Sequence, residues 1–342
     1  MPLIEHSSYQ APRFCGGAHF QTIYPSFFMK EREVEYERER FNTPDGDYLY
    51  LDWAKCQEPS PEHELLVVSH GLCGGTHRHY ALSLVHAFRR CHIDSLCWNY
   101  RGTGRVDNQL AKVTTNNSTY ELQWIIEHAI AQGYQNIYLA GFSMGANLSL
   151  LYLGREAKNI PAQVRGAAVV CATIDVPSCI ISLQQSLGGI YQWHFMKPLR
   201  RCIVTMHTRH PEIDITGLDQ IKTFPQFDDR YTAPLMGFRD SQDYYQTSSS
   251  NQWLEQISLP TLIINPANDP FLTEQCFPRD IAARMPNLFL EIPPNGGHCG
   301  FITPKKQEWW PAQRIRQFVL ETIRPANRLP ALPLDPPHPS EA

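Results

Sequence analysis

IYLAGFSMGANLSLLYL, residues 137–153, holds two apolar runs joined by a Gly-Phe-Ser-Met-Gly turn. Ile137 to Ala140 is short, bounded and rich in β-branched and aromatic residues, which reads as a buried strand; Ala146 to Leu153 has helical length and spacing. Between them the chain must turn sharply from strand to helix. Gly141 and Gly145 stand where a side chain would collide with neighbouring backbone, and Ser143 is thereby lifted out at a helix N-terminus. A hydroxyl presented in this way is a candidate nucleophile, and it needs a base within hydrogen-bond reach and a carboxylate to orient that base.

Working outward, the same strand and helix alternation recurs. Val34 to Phe41 and Tyr48 to Ala54 alternate across the turn Thr43-Pro44-Asp45-Gly46, which predicts an antiparallel hairpin. Apolar runs at 65–69, 93–100, 137–140, 166–172, 261–264 and 288–292 predict strands covered on both faces. Helical patterns fall at 79–89, at 118–133 from a capping box of Ser118 and Glu121, at 146–153, at 274–284 and from Pro311 to about 323. The expectation is α/β: a mostly parallel, doubly wound sheet with an antiparallel N-terminal hairpin. The alternation lapses over about 175–255, which predicts a cap inserted after the sixth strand of this series, over the carboxyl edge where such sheets bind ligands. Trp193, Phe195, Phe224 and Phe227 are its candidate pocket aromatics. The domain is expected to run over 1–324, with 325–342 a proline-rich tail.

The partners of Ser143 are sought at strand ends. Asn268-Asp269-Pro270 follows the run at 261–264, and Gly296-Gly297-His298 follows the run at 288–292, so Ser143, Asp269 and His298 fall in the chain order nucleophile, acid, base. Asp175, just past the run at 166–172, is the competing acid. His70-Gly71-Leu72 follows the run at 65–69 and supplies an oxyanion loop, with the backbone N–H groups of Leu72 and Met144 as the donor pair. His77, Arg78 and His79 lie beside that loop and read most simply as a solvated helix start.

Composition removes other classes. Thirty Lys and Arg against thirty-four Asp and Glu leave a net charge of −4, so no basic field covers the whole surface to draw nucleic acid or anionic lipid, and neither is expected as a partner. Ten cysteines without a C-x-x-C pair argue against a zinc ribbon or redox dithiol and for reduced thiols; no metal is expected. Arg101-Gly102-Thr103-Gly104 lacks the third glycine of a dinucleotide fingerprint and no phosphate-binding GK[ST] occurs, so no cofactor is expected. Glu5 and His6 interrupt any signal peptide, and the charge-free stretch 129–154 contains Gln, Asn, Ser and four glycines, unlike a membrane helix. The sign-alternating Glu/Arg run at 31–40 reads as a solvated edge without function. Nothing in the sequence sets an oligomeric state.

GGAHFQTIYP (16–25), DGDYLYLDW (45–53), HGLCGG (70–75), WNYRGTG (98–104), AGFSMGAN (140–147), NPANDPF (265–271) and NGGHCGF (295–301) together resemble the YheT-like branch of the α/β-hydrolases, esterases related to mammalian abhydrolase-domain lipases. The resemblance spans most of 16–323. It implies the α/β-hydrolase fold, and it places the family's nucleophile on Ser143, its acid on Asp269, its base on His298 and its oxyanion loop on Gly71 and Leu72. Cys73-Gly74-Gly75 departs from the acidic, serine-rich continuation usual there. Eukaryotic relatives carry an N-terminal membrane segment; without one, this chain is expected to be a soluble, cytoplasmic, bacterial-type member. The function implied is a serine carboxylic ester hydrolase acting on short- to medium-chain or lipid-like esters as its small-molecule partner. The alternatives are an alcohol O-acyltransferase using the same acyl-enzyme and a non-catalytic binding module. No histidine has Asp five residues downstream, so the H-x-x-x-x-D acyltransferase signature is absent.

Overall fold

The computed structural model describes residues 3–29, 31, 33–103, 108–304 and 307–324. Its centre is one nine-stranded sheet: β1 (Leu3–Ile4), β2 (Glu37–Asn42), β3 (Tyr48–Ala54), β4 (Glu64–Ser69), β5 (Asp94–Asn99), β6 (Asn136–Phe142), β7 (Val164–Val170), β8 (Thr261–Ile264) and β9 (Leu288–Glu291). The spatial order is β1-β9-β8-β7-β6-β4-β5-β3-β2, parallel throughout except where β3 runs against both β2 and β5. The N-terminal hairpin is therefore antiparallel, as its alternation predicts.

β4, β5 and β6 are buried at every position. Because strand side chains alternate, Leu65, Val67, Ile137 and Leu139 meet the helices α3 (Thr119–Ala131) and α4 (Met144–Arg155) on one face. On the other, Leu66, Val68, Tyr138 and Ala140 meet α2 (His79–Arg89) and α11 (Trp310–Phe318). Each fully buried aliphatic side chain contributes about 1.5–3 kcal/mol, which makes this sheet the rigid base of the molecule. The winding direction reverses at β4, which lies between β5 and β6, and the chain's crevice opens at the carboxyl ends of these strands.

Between β7 and β8 lie α5 (Val176–Gln185), α6 (Ile190–His207), α7 (Phe224–Phe227), α8 (Ala233–Met236) and α9 (Ser241–Thr247). α5 to α8 close around a separate small core that includes Tyr191, Met196, Ile203, Phe224 and Phe227, with Phe271 from the β8 side packed into it, while α9 packs Tyr244 and Tyr245 with Val176 of α5.

Several local expectations are corrected. Leu3–Ile4 adds an edge strand beside β9 too short to show a pattern. α1 (Ala18–Phe28) appears where no helix is predicted. The pattern at 274–284 divides into a single turn, Glu274–Cys276, and α10 (Arg279–Arg284), because Pro278 interrupts it. Ser118 and Glu121 do not form a capping box. The Ser118 hydroxyl accepts the Thr115 N–H at 2.9 Å, while buried Glu121 is drawn to Arg101 Nε at 2.7 Å and to the Thr114 hydroxyl at 2.6 Å. Gly104 to Asp107 and the proline-rich stretch 325–342 lie outside the described residues. Among those described, no helix is long and apolar enough to cross a membrane.

Candidate active site

Ser143 joins β6 to α4 with φ 55° and ψ −116°, a backbone conformation that costs a non-glycine residue about 1–3 kcal/mol and survives only where its surroundings enforce it. They do so by close packing. A Cβ on Gly141 would lie 2.4 Å from the Gly145 carbonyl oxygen, and one on Gly145 would lie 2.3 Å from that of Ser69, so neither position admits a side chain. The Ser143 N–H donates to the Val170 carbonyl at 3.0 Å, and the Ser143 carbonyl accepts from the N–H groups of Ala146 and Asn147 at 3.0 and 3.1 Å. The turn is thus tied to β7 behind it and to α4 ahead of it.

His298 Nε2 lies 2.8 Å from Ser143 Oγ, and His298 Nδ1 lies 2.8 Å from Asp269 Oδ2. Since a carboxylate only accepts, Nδ1 carries the hydrogen, and in neutral imidazole Nε2 is left to accept from the serine hydroxyl. The second Asp269 oxygen accepts the Phe271 N–H at 2.9 Å, and the Phe271 ring lies against the imidazole with centroids 4.3 Å apart. Burial pushes the His298 pKa down, but the Asp269 charge, the neighbouring Cys299 and the hydrogen bond to Asp269 together outweigh it and hold the group up at about 9. Asp175, the competing acid, is engaged elsewhere: it caps α5 through the Ser178 N–H at 3.0 Å and accepts from Asn251 at 2.8 Å.

The histidine loop is held by α1. His298 N–H donates to Thr22 Oγ1 at 2.9 Å, Gly297 N–H donates to Asn268 Oδ1 at 3.0 Å, and Asn268 donates onward to the Gly16 carbonyl at 2.9 Å. Gly300 passes so close to α1 that a Cβ there would lie 1.7 Å from the Gln21 carbonyl oxygen. Pattern reading missed Thr22 and its helix; the stretch GGAHFQTIYP was the signal that contained them.

Leu72 and Met144 both face the cavity above Ser143. Met144 opens α4, where a backbone N–H has no acceptor within the helix. A Cβ on Gly71 would be 3.2 Å from that of Ser143, so this loop abuts the hydroxyl directly. Tyr100 donates to the His70 carbonyl at 2.5 Å, Gly71 N–H donates to Tyr80 Oη at 3.2 Å, and Gly74 N–H closes onto the Gly71 carbonyl at 2.9 Å. A side chain at Gly74 would strike the Gly71 carbonyl and Tyr80 Oη, both 2.8 Å from its Cβ, which gives the glycine at this one position of Cys73-Gly74-Gly75 a steric reason. Burial lowers the pKa of His70 to about 4, keeping it neutral beside the loop. His79 is no solvated start residue: it is buried, likewise lowered to about 4, and bonded to the Cys299 carbonyl at 3.1 Å. His77 is exposed against Glu33.

The cavity reached by Ser143 has a volume of about 460 Å³, and Phe195, Phe224, Phe227 and Phe271 are among its walls. Trp193 is not: it points outward from α6, 71% exposed. One buried carboxylate, Asp228, also faces the cavity; desolvation raises its pKa to about 6, while the hydroxyls of Thr232 and Tyr245 donate to it at 2.6 Å each. Cys171, His298 and Cys299 are the one cluster among the described residues with three potential metal ligands. Both ring nitrogens of that histidine are already engaged by Ser143 and Asp269, so coordination would dismantle the arrangement.

The family model for the alpha/beta hydrolase fold matches residues 64–305. The YheT protein of Escherichia coli (strain K12) is 27% identical over 307 residues, covering 88% of this chain and 89% of its own length. Phospholipase ABHD3 of Bos taurus is 26% identical over 346 residues, covering 97% of this chain and 82% of its own. Among solved structures, an esterase of Pyrococcus furiosus superposes with a TM-score of 0.56 at 15% identity, covering 85% of this chain and 92% of its own; at that identity the likeness speaks for the fold. With the family model spanning well over half of the sequence, the chain belongs to the alpha/beta hydrolase fold family and is a hydrolase of its esterase type.

Proposed function

We propose that this protein is a serine carboxylic ester hydrolase working through an acyl-enzyme on Ser143. The observation that carries the reading is the continuous hydrogen-bonded line Asp269–His298–Ser143, ending at the wall of an apolar cavity. In the first step His298 Nε2 takes the proton from Ser143 as its oxygen bonds to the ester carbonyl carbon. The Leu72 and Met144 N–H groups receive the negative charge that develops on the carbonyl oxygen. His298 then passes its proton to the departing alcohol, leaving the acyl group on Ser143. Water, deprotonated by the same nitrogen, attacks that carbonyl, and the acid leaves as the proton returns to Ser143. Asp269 holds the imidazole in the required tautomer and stabilises its charged form.

The segment between β7 and β8 acts as the cap. The cavity beneath it falls in the roughly 300–1,000 Å³ range of small-molecule sites, and its phenylalanine walls suit a short- to medium-chain acyl group or a lipid-like ester. The phospholipase name of the Bos taurus relative agrees with a lipid-like substrate. Labelling the folded protein with a fluorophosphonate probe, followed by peptide mapping, is the test. A single adduct on Ser143 that is lost in Ser143→Ala is expected, and labelling at another residue, or none, removes the proposal.

A further inference from the structure

The large apolar side chains exposed among the described residues are not scattered. All of them fall within 14–28 and 181–204, including Phe20, Phe27 and Phe28 on α1 and Ile190 and Trp193 on α6. The two helices are neighbours. His19 Nδ1 lies 3.0 Å from Tyr191 Oη, and the rings of Phe27 and His194 are 6.5 Å apart. Single exposed hydrophobes need no explanation, but their concentration on one pair of adjacent helices marks an interaction surface.

Charge indicates what that surface meets. Residues 6–30 and 176–211 contain six Lys and Arg and not one Asp or Glu, in a chain with thirty-four carboxylates and a net charge of −4. Carboxylates are thus missing from both segments, and of the cations Lys197 and Arg201 stand exposed on α6, a local feature set against a chain of negative net charge. On α6, Ile190, Trp193, Lys197, Arg201 and Val204 follow one another at spacings of three and four, a single stripe mixing tryptophan, aliphatic and cationic side chains. Aromatic and apolar groups that enter the headgroup boundary, flanked by cations that meet anionic lipid, are the chemistry of a helix lying in a membrane interface.

We propose that the face made by α1 and α6 docks on the surface of an anionic phospholipid bilayer. Its position gives the docking a use. The inner side of α1 carries Thr22 beneath His298, and the inner side of α6 supplies Phe195 and Leu199 to the cavity. A bilayer bound to the outer sides lies against the same two helices that frame the site, so the protein collects on the phase that holds lipid-like esters. The surface stands independently of the chemistry at Ser143.

The experiment is flotation of the full chain with vesicles of phosphatidylcholine alone or containing phosphatidylglycerol. Wild type and Ser143→Ala are expected to float alike with the anionic vesicles, at least about tenfold more than with the neutral ones, and to be released as NaCl rises to about 0.5 M. The double variant Phe27→Ser/Trp193→Ser is expected to lose at least about tenfold of this binding while hydrolysing a soluble short-chain ester within about twofold of wild type. Absence of flotation, equal flotation on both vesicle types, or unchanged flotation of the double variant overturns the proposal. So does a concentration-dependent dimer by light scattering that the double variant abolishes, which would assign the face to a second copy of the chain. Because Ser143→Ala is included, loss of the esterase reading and loss of this one are separable.

Discussion

Replacing Asp269 with asparagine keeps the side chain's shape and removes its charge. Asp269 is buried, with one oxygen on the Phe271 N–H at 2.9 Å and the other on His298 Nδ1 at 2.8 Å. The oxygen of the introduced amide would keep the Phe271 contact, which turns the NH₂ toward His298 and forces Nδ1 to accept. The hydrogen then moves to Nε2, where no lone pair remains to take the Ser143 proton. Turnover is expected to fall by about 10⁴-fold, or about 5.5 kcal/mol of transition-state stabilisation. The ionisation of His298 must change as well. In wild type the base has to be neutral, so the rate is expected to rise with pH through a value above 6.5 and toward about 9, then level. Without the Asp269 charge and its hydrogen bond, burial is the largest remaining influence and exceeds the opposing one of Cys299, so the inflection of the residual activity moves below 6.5. Stability follows with a definite sign. A histidine whose folded pKa lies above its unfolded value contributes stability that is full below about 6.5 and lost as pH rises through about 9, so Asp269→Asn is expected to lower stability by up to about 3 kcal/mol at mildly acid pH and little at alkaline pH. Steady-state hydrolysis of a p-nitrophenyl ester between about pH 5 and about 10, with thermal unfolding at each end, measures all three quantities. Asp175→Asn is the control: asparagine caps a helix nearly as well as aspartate, so turnover is expected within a few-fold of wild type. The reasoning is refuted if folded Asp269→Asn retains a tenth of wild-type turnover, or if folded Asp175→Asn is the crippled variant.

Thr22→Val removes the acceptor of the His298 N–H and is expected to cost about 1–3 kcal/mol of stability, with a fall in kcat exceeding any change in KM; unchanged kcat in a folded variant would separate α1 from the chemistry. Phe195→Ala and Phe224→Ala are expected to shift kcat/KM across a series of acyl chain lengths, by about 1–3 kcal/mol per methylene no longer enclosed, and outward-facing Trp193→Ala to leave that profile unchanged; identical profiles in all three would deny the cavity its acyl role. Glu121→Leu removes the 2.7 Å contact at Arg101 Nε and the acceptor of the Thr114 hydroxyl, while Asp45 and Asp47 still compensate the Arg101 charge, and thermal unfolding is expected to show a loss of about 1–3 kcal/mol. With millimolar ethanol or glycerol, free acid is expected to dominate the products by chromatography because water at ~55 M competes for the acyl-enzyme; saturable ester formation would instead reveal a bound acceptor and an acyltransferase.

Which of these residues could be read from the chain alone follows from how local their causes are. The serine turn is written in consecutive residues: a strand, two glycines whose Cβ atoms would strike backbone, and a helix. Asp269 and His298 were placed by one further rule, that loops at the carboxyl ends of parallel strands converge, and the fold brings both within 2.8 Å contacts. The choice between Asp269 and Asp175 could not be made locally, because both follow strands. The folded chain separates them: His298 Nδ1 lies 2.8 Å from Asp269, while Asp175 accepts from the Ser178 N–H and from Asn251, groups that come near it only in the fold. Trp193 and Phe195 are two residues apart on one helix and point to opposite sides, so composition could assign both to a pocket while rotation about α6 admits only one.

α1 was illegible for a different reason. Periodicity finds helices by assuming that the apolar side turns inward. In α1 the buried positions are Gln21, Thr22 and Pro25, while Phe20, Phe27 and Phe28 are exposed. Pro25, inside the helix, also removes the N–H that would bond the Gln21 carbonyl. Every local rule therefore points away from a helix there. The inversion has a physical origin on each side. The inner face must offer hydrogen bonds, since Thr22 accepts from His298 and Gln21 accepts from Tyr9 at 2.7 Å and from the Ile302 N–H at 3.3 Å. The outer face carries Phe20, Phe27 and Phe28 exposed, and the proposed bilayer contact would cover them. A helix that is polar inside and aromatic outside costs stability in bulk solvent, and departures of this kind concentrate where a segment serves binding or chemistry as well as folding. The same reversal that hid α1 from pattern reading is what ties the histidine loop on its inner side to the proposed bilayer contact on its outer one.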